Sequence, residues 1–502
     1  MLAALICFAA AKSCDFFGPP GTGYADTNLS VVVVNATRPL ASCCDACDAW
    51  NAASRSPHCR LGVVTQPGNV CALKPSSAQP FAAARATAVR PPPPSPSPEQ
   101  NNLELLVLPN SSALLQGAAC LDGTPPAIYM APANTSADPS AANKWVLYFK
   151  GGGWCVDEDD CVARTTTLLG SSSQLPAQQP RFGYGGAGPL GDDPSLNPAF
   201  AHFNRVMLWY CDGGSFSGDV AETVPVVRPS ASGGNVTTQL HFRGKRNLDA
   251  VLRYLRLHHN LGAATEVLLS GGSAGALAVY LHADYVRAGF GAGVKFRAAP
   301  VSGFFLMHDT AAGEDAFPAR ARGVFGMMNS SGGVNQRCVE ALAPAGLAWR
   351  CFFANASYAY TRTPLFALNS AVDSFQMGAI LDIAPACAGL GASKAPGAQF
   401  ANCSDAELAA VTSYEADFLR DLRGSPAFDR AGSGGFIESC MEHVAAQGGK
   451  ANTIEQGGTS MMDALVAWWG APEGAPASEH WTLPCTLHAT APGQCNPSCT
   501  AS

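Results

Sequence analysis

The stretch Leu268-Leu269-Ser270-Gly271-Gly272-Ser273-Ala274-Gly275-Ala276-Leu277-Ala278 reads as a strand, a sharp turn and a helix. Gly271, Ser273 and Gly275 make a G-x-S-x-G turn, a pattern that holds a serine hydroxyl on strained backbone above a sheet. A side chain at the flanking glycines would clash with the neighbouring strand or helix. The pattern alone says little in a chain with 51 glycines. Its flanks say more. Val267-Leu268-Leu269 suits a buried strand, and residues 274–286, rich in Ala, Leu and Val, suit a packed helix. Ser273 is therefore a candidate nucleophile, against the alternative of an ordinary glycine-rich turn.

Such a serine needs a base, a group that orients the base, and donors for an oxyanion. In folds built around this turn the acid and the histidine follow the serine in chain order. The donors are sought first. Lys144-Trp145-Val146-Leu147-Tyr148-Phe149 reads as a strand that runs into Lys150-Gly151-Gly152-Gly153-Trp154-Cys155. An early strand ending in a glycine run is similar to the HGGG-type loop of esterases, whose backbone N–H groups face developing negative charge. The N–H of Ala274, just after the serine, is the expected second donor.

Asp373 is the candidate acid, because Ser370-Ala371-Val372-Asp373 follows the late apolar strand Pro364 to Asn369. Asp309, Asp382 and Asp405 are alternatives, since loop aspartates commonly cap helices or face water. His282, His308, His443, His480 and His488 follow the serine. His282 lies on the helix after the turn, and His480 and His488 lie in a Pro-rich, cysteine-bounded tail. His443 follows the strand-like Gly435 to Cys440 and precedes a final amphipathic helix, the place for a loop base.

Apolar runs at 103–108, 145–149, 205–210, 266–269, 365–368 and 435–437 alternate with helical patterns at 244–258, 274–286, 406–422 and 460–469. That alternation predicts an α/β fold with a mostly parallel sheet. The chain has 502 residues, 47% of them hydrophobic and 14% charged, with a formal net charge of −7. It suffices for one large catalytic domain and a smaller unit. No basic stripe suggests nucleic acid as a partner.

Residues 1–13 carry the short apolar run Leu2 to Ala11, which fits the core of an export signal and is too short to span a bilayer. A buried first strand is the alternative. Beyond it, no stretch suggests membrane insertion. There are 19 cysteines, and losing Cys7 with a signal leaves 18, which could pair completely. Their spacing is not that of zinc sites, so neither a metal nor another cofactor is expected. Cys155 and Cys161 bracket an acidic loop and are expected to pair. Eight N-x-S/T sequons, at Asn28, Asn35, Asn110, Asn134, Asn235, Asn329, Asn355 and Asn402, agree with a secreted, extracellular or cell-wall location.

Residues 14–80 hold Cys14, Cys43, Cys44, Cys47, Cys59 and Cys71, the density of a disulfide-rich module. The run Cys43-Cys44-Asp45-Ala46-Cys47 and the later Cys71-Ala72-Leu73-Lys74 resemble a PAN/Apple-type module, which implies a carbohydrate or protein ligand. A stapled cap without a ligand is the alternative. Residues 81–99 form a Pro/Ser-rich linker, with Arg90 to Pro98 as a stiff polyproline II spacer. Residues 100–502 form the α/β domain.

Six blocks occur in one order across this domain: Leu147 to Cys155, Tyr210-Cys211-Asp212-Gly213-Gly214-Ser215-Phe216-Ser217-Gly218-Asp219, Phe242-Arg243-Gly244, Gly271 to Ala278, Leu368 to Gln376, and Phe436 to His443. Together they resemble the pectin acetylesterase/Notum family of carboxylesterases, and Cys495 to Cys499 resembles the end of its plant members. The resemblance implies an α/β-hydrolase fold and a triad of Ser273, Asp373 and His443. It also implies an oxyanion hole from the backbone of Gly153, Trp154 and Ala274. The expected activity is removal of O-acetyl groups from pectin or a related extracellular polysaccharide, by a monomer. Alternatives are removal of a fatty acyl group from a lipid-modified protein, and an inactive carbohydrate-binding relative. The chain departs from the pattern at Lys150, where the family usually has an acid, and at Gly272 and Val444, where plant members often have cysteine.

Overall fold

A computed structural model describes five strands between residues 2 and 75, and residues 103–179, 187–230, 233–383, 387, 403–481 and 496–500. The chain divides into two compact units, Met1–Ser95 and Pro96–Ser502. In the first, β1 (Leu2–Cys7), β2 (Cys14–Phe16), β3 (Ser30–Val33), β4 (Cys59–Thr65) and β5 (Val70–Pro75) form one antiparallel sheet in the order β2-β1-β4-β5-β3. The segment read as an export-signal core is thus a strand paired with β4. The linker 81–99 lies outside the described residues, as do the side chains of the first unit's cysteines.

The second unit is built on ten strands: β6 (Leu103–Val107), β7 (Ala127–Ala131), β8 (Lys144–Phe149), β9 (Gln178–Gln179), β10 (Asn204–Leu208), β13 (Glu266–Gly272), β14 (Lys295–Val301), β15 (Phe366–Ser370), β16 (Gly434–Glu438) and β19 (Ser478–Trp481). Their order is β19-β16-β15-β14-β13-β8-β10-β7-β6-β9. From β19 to β10 every pairing is parallel, and β7, β6 and β9 extend that edge antiparallel. Two small hairpins stand apart: β11 (Val224–Pro229) with β12 (Asn235–Leu240), and β17 (Glu455–Gln456) with β18 (Thr459–Ser460).

Period-two alternation buries both faces of the sheet. Trp145, Leu147 and Phe149 of β8 and Val267 and Leu269 of β13 pack with Leu248, Leu255, Leu277 and Leu281 of the helices Gly244–His258 and Ala274–Ala288. Val146, Tyr148 and Leu268 face the other way, into a core with Leu465, Trp468 and Trp469 of the helix Met461–Gly470. A large aliphatic side chain removed from water in this way contributes roughly 1.5–3 kcal/mol.

This layering sets the position of the site. β13 lies between β8 and β14, and Gly271 pairs with Phe149. The chain therefore leaves β8 and β13 at the same level, placing the run from Lys150 beside Gly272 and Ser273. Five disulfides join described residues: Cys120–Cys211, Cys155–Cys161, Cys338–Cys351, Cys387–Cys403 and Cys440–Cys499. The expected Cys155–Cys161 bond is among them. Among the described residues no helix is long and apolar enough to cross a membrane.

Candidate active site

Ser273 joins β13 to the helix Ala274–Ala288 with φ 58° and ψ −129°. Such backbone is costly for a residue with a Cβ and persists only where the surroundings enforce it. Here they do. The Ser273 N–H donates to the Val301 carbonyl (3.0 Å), and its carbonyl accepts from Ala276 and Leu277 at the start of the helix. A Cβ on Gly275 would lie 2.1 Å from the Phe149 carbonyl oxygen, and one on Gly151 would lie 2.8 Å from the Ser273 Cβ. Only glycine lets the two chain segments meet this closely. Ser215, Phe216, Ser302 and Val444 also have left-handed φ near +55°. Five of the nine described non-glycine residues in that region thus border one site, as expected where function stores strain.

Asp373 ends the turn after β15 and begins the short helix Ser374–Ala379, with Oδ1 accepting from the N–H groups of Phe375 (3.0 Å) and Gln376 (3.2 Å). It is fully buried. His443 lies on the loop after β16, with Nδ1 2.9 and 2.8 Å from the Asp373 oxygens. The imidazole stacks on Phe375 at 5.2 Å and is 21% exposed. The next residue, Val444, donates its N–H to Ser302 Oγ (2.9 Å). Val301 and Ser302, at the end of β14, therefore hold the Ser273 turn and the His443 loop side by side.

The alternatives fall elsewhere. Asp309, Asp382 and Asp405 are exposed. His282 is buried against the Phe216 carbonyl (3.0 Å), and His308 pairs with Asp417 at 3.2 Å. His480 is described only as backbone in β19, and His488 lies outside the described residues.

The glycine loop is held from its carbonyl side. Lys150 Nζ donates to the Gly151 carbonyl (3.0 Å), Arg164 to those of Gly152 (2.7 Å) and Trp154 (3.1 Å), and the Tyr210 hydroxyl to that of Gly153 (2.5 Å). A trans peptide points its N–H opposite to its C=O. Anchoring the Gly152 and Gly153 carbonyls therefore fixes the directions of the Gly153 and Trp154 N–H groups. Gly153 has φ +66°, and Cys155–Cys161 ties the loop to the helix Glu158–Thr165 that carries Arg164. Among the described residues the N–H groups of Gly153, Trp154 and Ala274 have no protein acceptor. For Ala274 this follows from its place in the first turn of a helix.

Asp212 organises the turn beside this loop, with Oδ2 accepting from Gly214 (3.2 Å) and Phe216 (2.8 Å). Burial pushes its carboxyl up to about 6 against these hydrogen bonds. Burial and the nearby Arg164 hold the Lys150 ammonium below its ordinary value. Among the described residues Lys150 has no carboxylate in ion-pair range, and it lies 4.8 Å from the Trp209 ring.

A cavity of about 300 Å³ opens beside Gly153 and Trp154. Trp154, Phe305, Phe317, Phe352, Phe353 and Phe375 line it, with Leu277, Ala321, Val324 and the 38% exposed Val156. Trp154 meets Phe305, Phe317 and Phe375 edge-on at 5.1, 6.0 and 6.3 Å. Sequence reading missed this aromatic lining, because its residues come from five separate segments. It also missed Arg164, which has no signal beyond standing three residues after Cys161. Tyr210 and Ser215 lay inside a recognised block without a role. One cluster with metal-ligand spacing occurs among the described residues, Glu438, Cys440 and Cys499, and its two sulfurs are bonded to each other.

A 343-residue match to pectin acetylesterase 11 of Arabidopsis thaliana is 32% identical and covers 68% of this chain and 80% of the relative. The human palmitoleoyl-protein carboxylesterase NOTUM is 28% identical over 291 residues, covering 55% of this chain and 52% of NOTUM. The solved structure of the Wnt deacylase Notum from Drosophila superposes with a TM-score of 0.57 at 22% identity, over 73% of this chain and 93% of that one. That likeness establishes the Notum-like α/β-hydrolase fold, and no comparison speaks for a PAN/Apple-like module in residues 14–80. Residues 97–495 match the family model described as pectinacetylesterase, and the chain belongs to that family of carboxylic ester hydrolases.

Proposed function

We propose that the protein removes O-acetyl groups from pectin or a related polysaccharide through Ser273, His443 and Asp373. The observation that carries the reading is the Asp373–His443 pair, held by β14 beside a serine on a strained turn. Asp373 accepts from Nδ1–H, so Nε2 is the bare nitrogen that takes the Ser273 proton as Oγ attacks the ester carbonyl. The carbonyl oxygen becomes an oxyanion and is met by the N–H groups of Gly153, Trp154 and Ala274. Collapse of the tetrahedral intermediate breaks the C–O bond to the sugar, whose oxygen takes the proton from His443. Water then attacks the acyl-enzyme by the same route, releasing the carboxylic acid and free serine. No step calls on a metal or organic cofactor.

The aromatic cavity favours a second reading, a longer acyl group. Its volume of about 300 Å³ exceeds what an acetyl methyl needs and meets the lower end of ligand pockets, roughly 300–1,000 Å³. Turnover of p-nitrophenyl acetate against p-nitrophenyl octanoate separates the readings. Preference for acetate supports the first, preference for octanoate the second, and no turnover of either favours an inactive binding relative. Export to the cell exterior belongs to the same proposal, supported by the sequons and the disulfides. So does a polysaccharide or protein ligand for residues 14–80.

A further inference from the structure

Ser215 is fully buried, has φ +54° and touches both halves of the proposed oxyanion hole. Its Oγ accepts from the Trp154 indole N–H (2.8 Å) and donates to the Ala274 carbonyl (2.7 Å). Its backbone N–H donates to the Tyr210 hydroxyl (3.0 Å), which donates to the Gly153 carbonyl. Trp154 and Gly153 belong to the loop after β8, and Ala274 begins the helix after β13. These segments are more than one hundred residues apart in the chain, and they supply donors that must converge on one oxygen. The strain at Ser215 has a local cause, since Asp212 pulls the N–H groups of Gly214 and Phe216 inward on either side of it.

We infer that Ser215 is a positioning residue for ester hydrolysis, a hydroxyl clamp that sets the spacing between the glycine-loop donors and the Ala274 donor. It acts through Trp154 and Ala274 and touches no reacting atom. An oxyanion hole works only where its donors are already aimed at the developing charge, and losing one such donor costs roughly 10²–10³ in kcat. Loosening the spacing of two donors should cost less. The indole held by Ser215 also forms a wall of the acyl cavity, so one hydroxyl sets both the hole and the wall.

The inference rests on the esterase reading, and the test separates the two. Wild type, Ser215→Ala and Trp154→Phe are assayed on p-nitrophenyl acetate, with melting temperatures and inhibition by a trifluoromethyl ketone, which forms an anionic tetrahedral adduct on serine. Alanine keeps the Cβ and tolerates the same backbone as serine. The expectation for Ser215→Ala is a kcat lower by roughly 10- to 100-fold, a KM within about threefold, and inhibitor affinity weakened by the same factor as kcat. Unchanged kcat and inhibitor affinity overturn the inference, as does a change confined to KM. If Ser215→Ala does not fold, Trp154→Phe decides, because it removes the other partner of the clamp and keeps an aromatic ring. An inactive wild type sinks the esterase reading and this inference together. An active wild type with an unimpaired variant sinks the inference alone.

Discussion

His443 Nδ1 lies within 2.9 Å of both carboxylate oxygens of Asp373, although 70 residues separate them. The two stand on loops after adjacent parallel strands, β15 and β16, whose register pairs Ser370 with Glu438. Asp373 also accepts from two N–H groups of the helix it begins, so its carboxylate is held by bonds other than the one to the imidazole. Fixing the carboxylate fixes the ring and its tautomer.

Asp373→Asn should preserve the fold and remove the activity. The asparagine oxygen can keep the two helix N–H bonds while its NH₂ faces Nδ1, which forces the proton onto Nε2 and blocks proton abstraction from Ser273. A loss in kcat of about 10⁴ is expected, of the order seen for such a change in a serine protease triad. Ser273→Ala should lose at least as much, and the two changes together little more than either alone. Steady-state rates on p-nitrophenyl acetate check this. Near-normal turnover by correctly folded Asp373→Asn would falsify the assignment.

The aromatic cavity gives a specificity prediction. Ala321 lines it from the helix Ala316–Met327 and is nearly buried. Ala321→Trp should fill the cavity without reaching Asp373 or His443. Hydrolysis of p-nitrophenyl octanoate should fall at least tenfold, while that of the acetate stays within about threefold, since a few lost methylene contacts at roughly 0.8 kcal/mol each suffice. Parallel losses on both esters would mean that the cavity does not receive the acyl chain.

How much of this was legible in the sequence varies with the residue. β8, β13 and β15 were readable as short apolar runs, and the turn at Ser273 by its glycines. β14 was not, although it is central and holds both Ser273 and Val444. It reads Lys295-Phe296-Arg297-Ala298-Ala299-Pro300-Val301, with charges and a proline that argue against an interior strand. The structure resolves the conflict locally. Arg297 donates to the backbone carbonyls of Trp468, Trp469 and Ala471 at the end of another helix, so its charge is hydrogen-bonded where it is buried. Asp373 and His443 were found because strand order brings consecutive loops together. Ser215 and Arg164 were not: Arg164 meets backbone carbonyls, and Ser215 meets the Trp154 indole, the Tyr210 hydroxyl and the Ala274 carbonyl from other parts of the chain, contacts that leave no trace in a sequence.

His282 predicts a pH dependence of stability. It is buried, and burial and the positive Lys245 push its imidazole down to about 3 from an ordinary 6.5, against the Phe216 carbonyl bond. Between these values the unfolded chain binds the proton and the folded chain does not. Stability from this group is therefore full above pH 6.5 and is lost as pH falls toward 3, by up to about 1.4 kcal/mol per pH unit. His282→Gln keeps a donor for the Phe216 carbonyl and has no proton to take up. Its denaturation midpoint should fall less steeply than that of wild type between pH 6.5 and 4. Asp212, pushed up to about 6 from 3.8, has the opposite sign but is common to both proteins and cancels in the difference. Urea midpoints across this range check it, and parallel curves would show that His282 is not the acid-sensitive group.

A chain beginning at Asn101 should hydrolyse small esters as well as the full chain does. Every residue proposed for the chemistry lies between Gly153 and His443, within the unit Pro96–Ser502 and the 97–495 family match. The Cys155–Cys161 and Cys440–Cys499 bonds that brace the glycine loop and the approach to His443 also close within it. The first unit should matter only on polymeric substrate, where a second attachment point raises the local concentration of ester. The measurement is kcat/KM for both chains on p-nitrophenyl acetate and on an acetylated polysaccharide. Equal values on the small ester are expected, and a lower value for the shorter chain on the polymer would assign the first unit to substrate capture. A shorter chain that folds yet has lost small-ester turnover would place part of the active site in residues 1–100, and the division of labour argued here would be wrong.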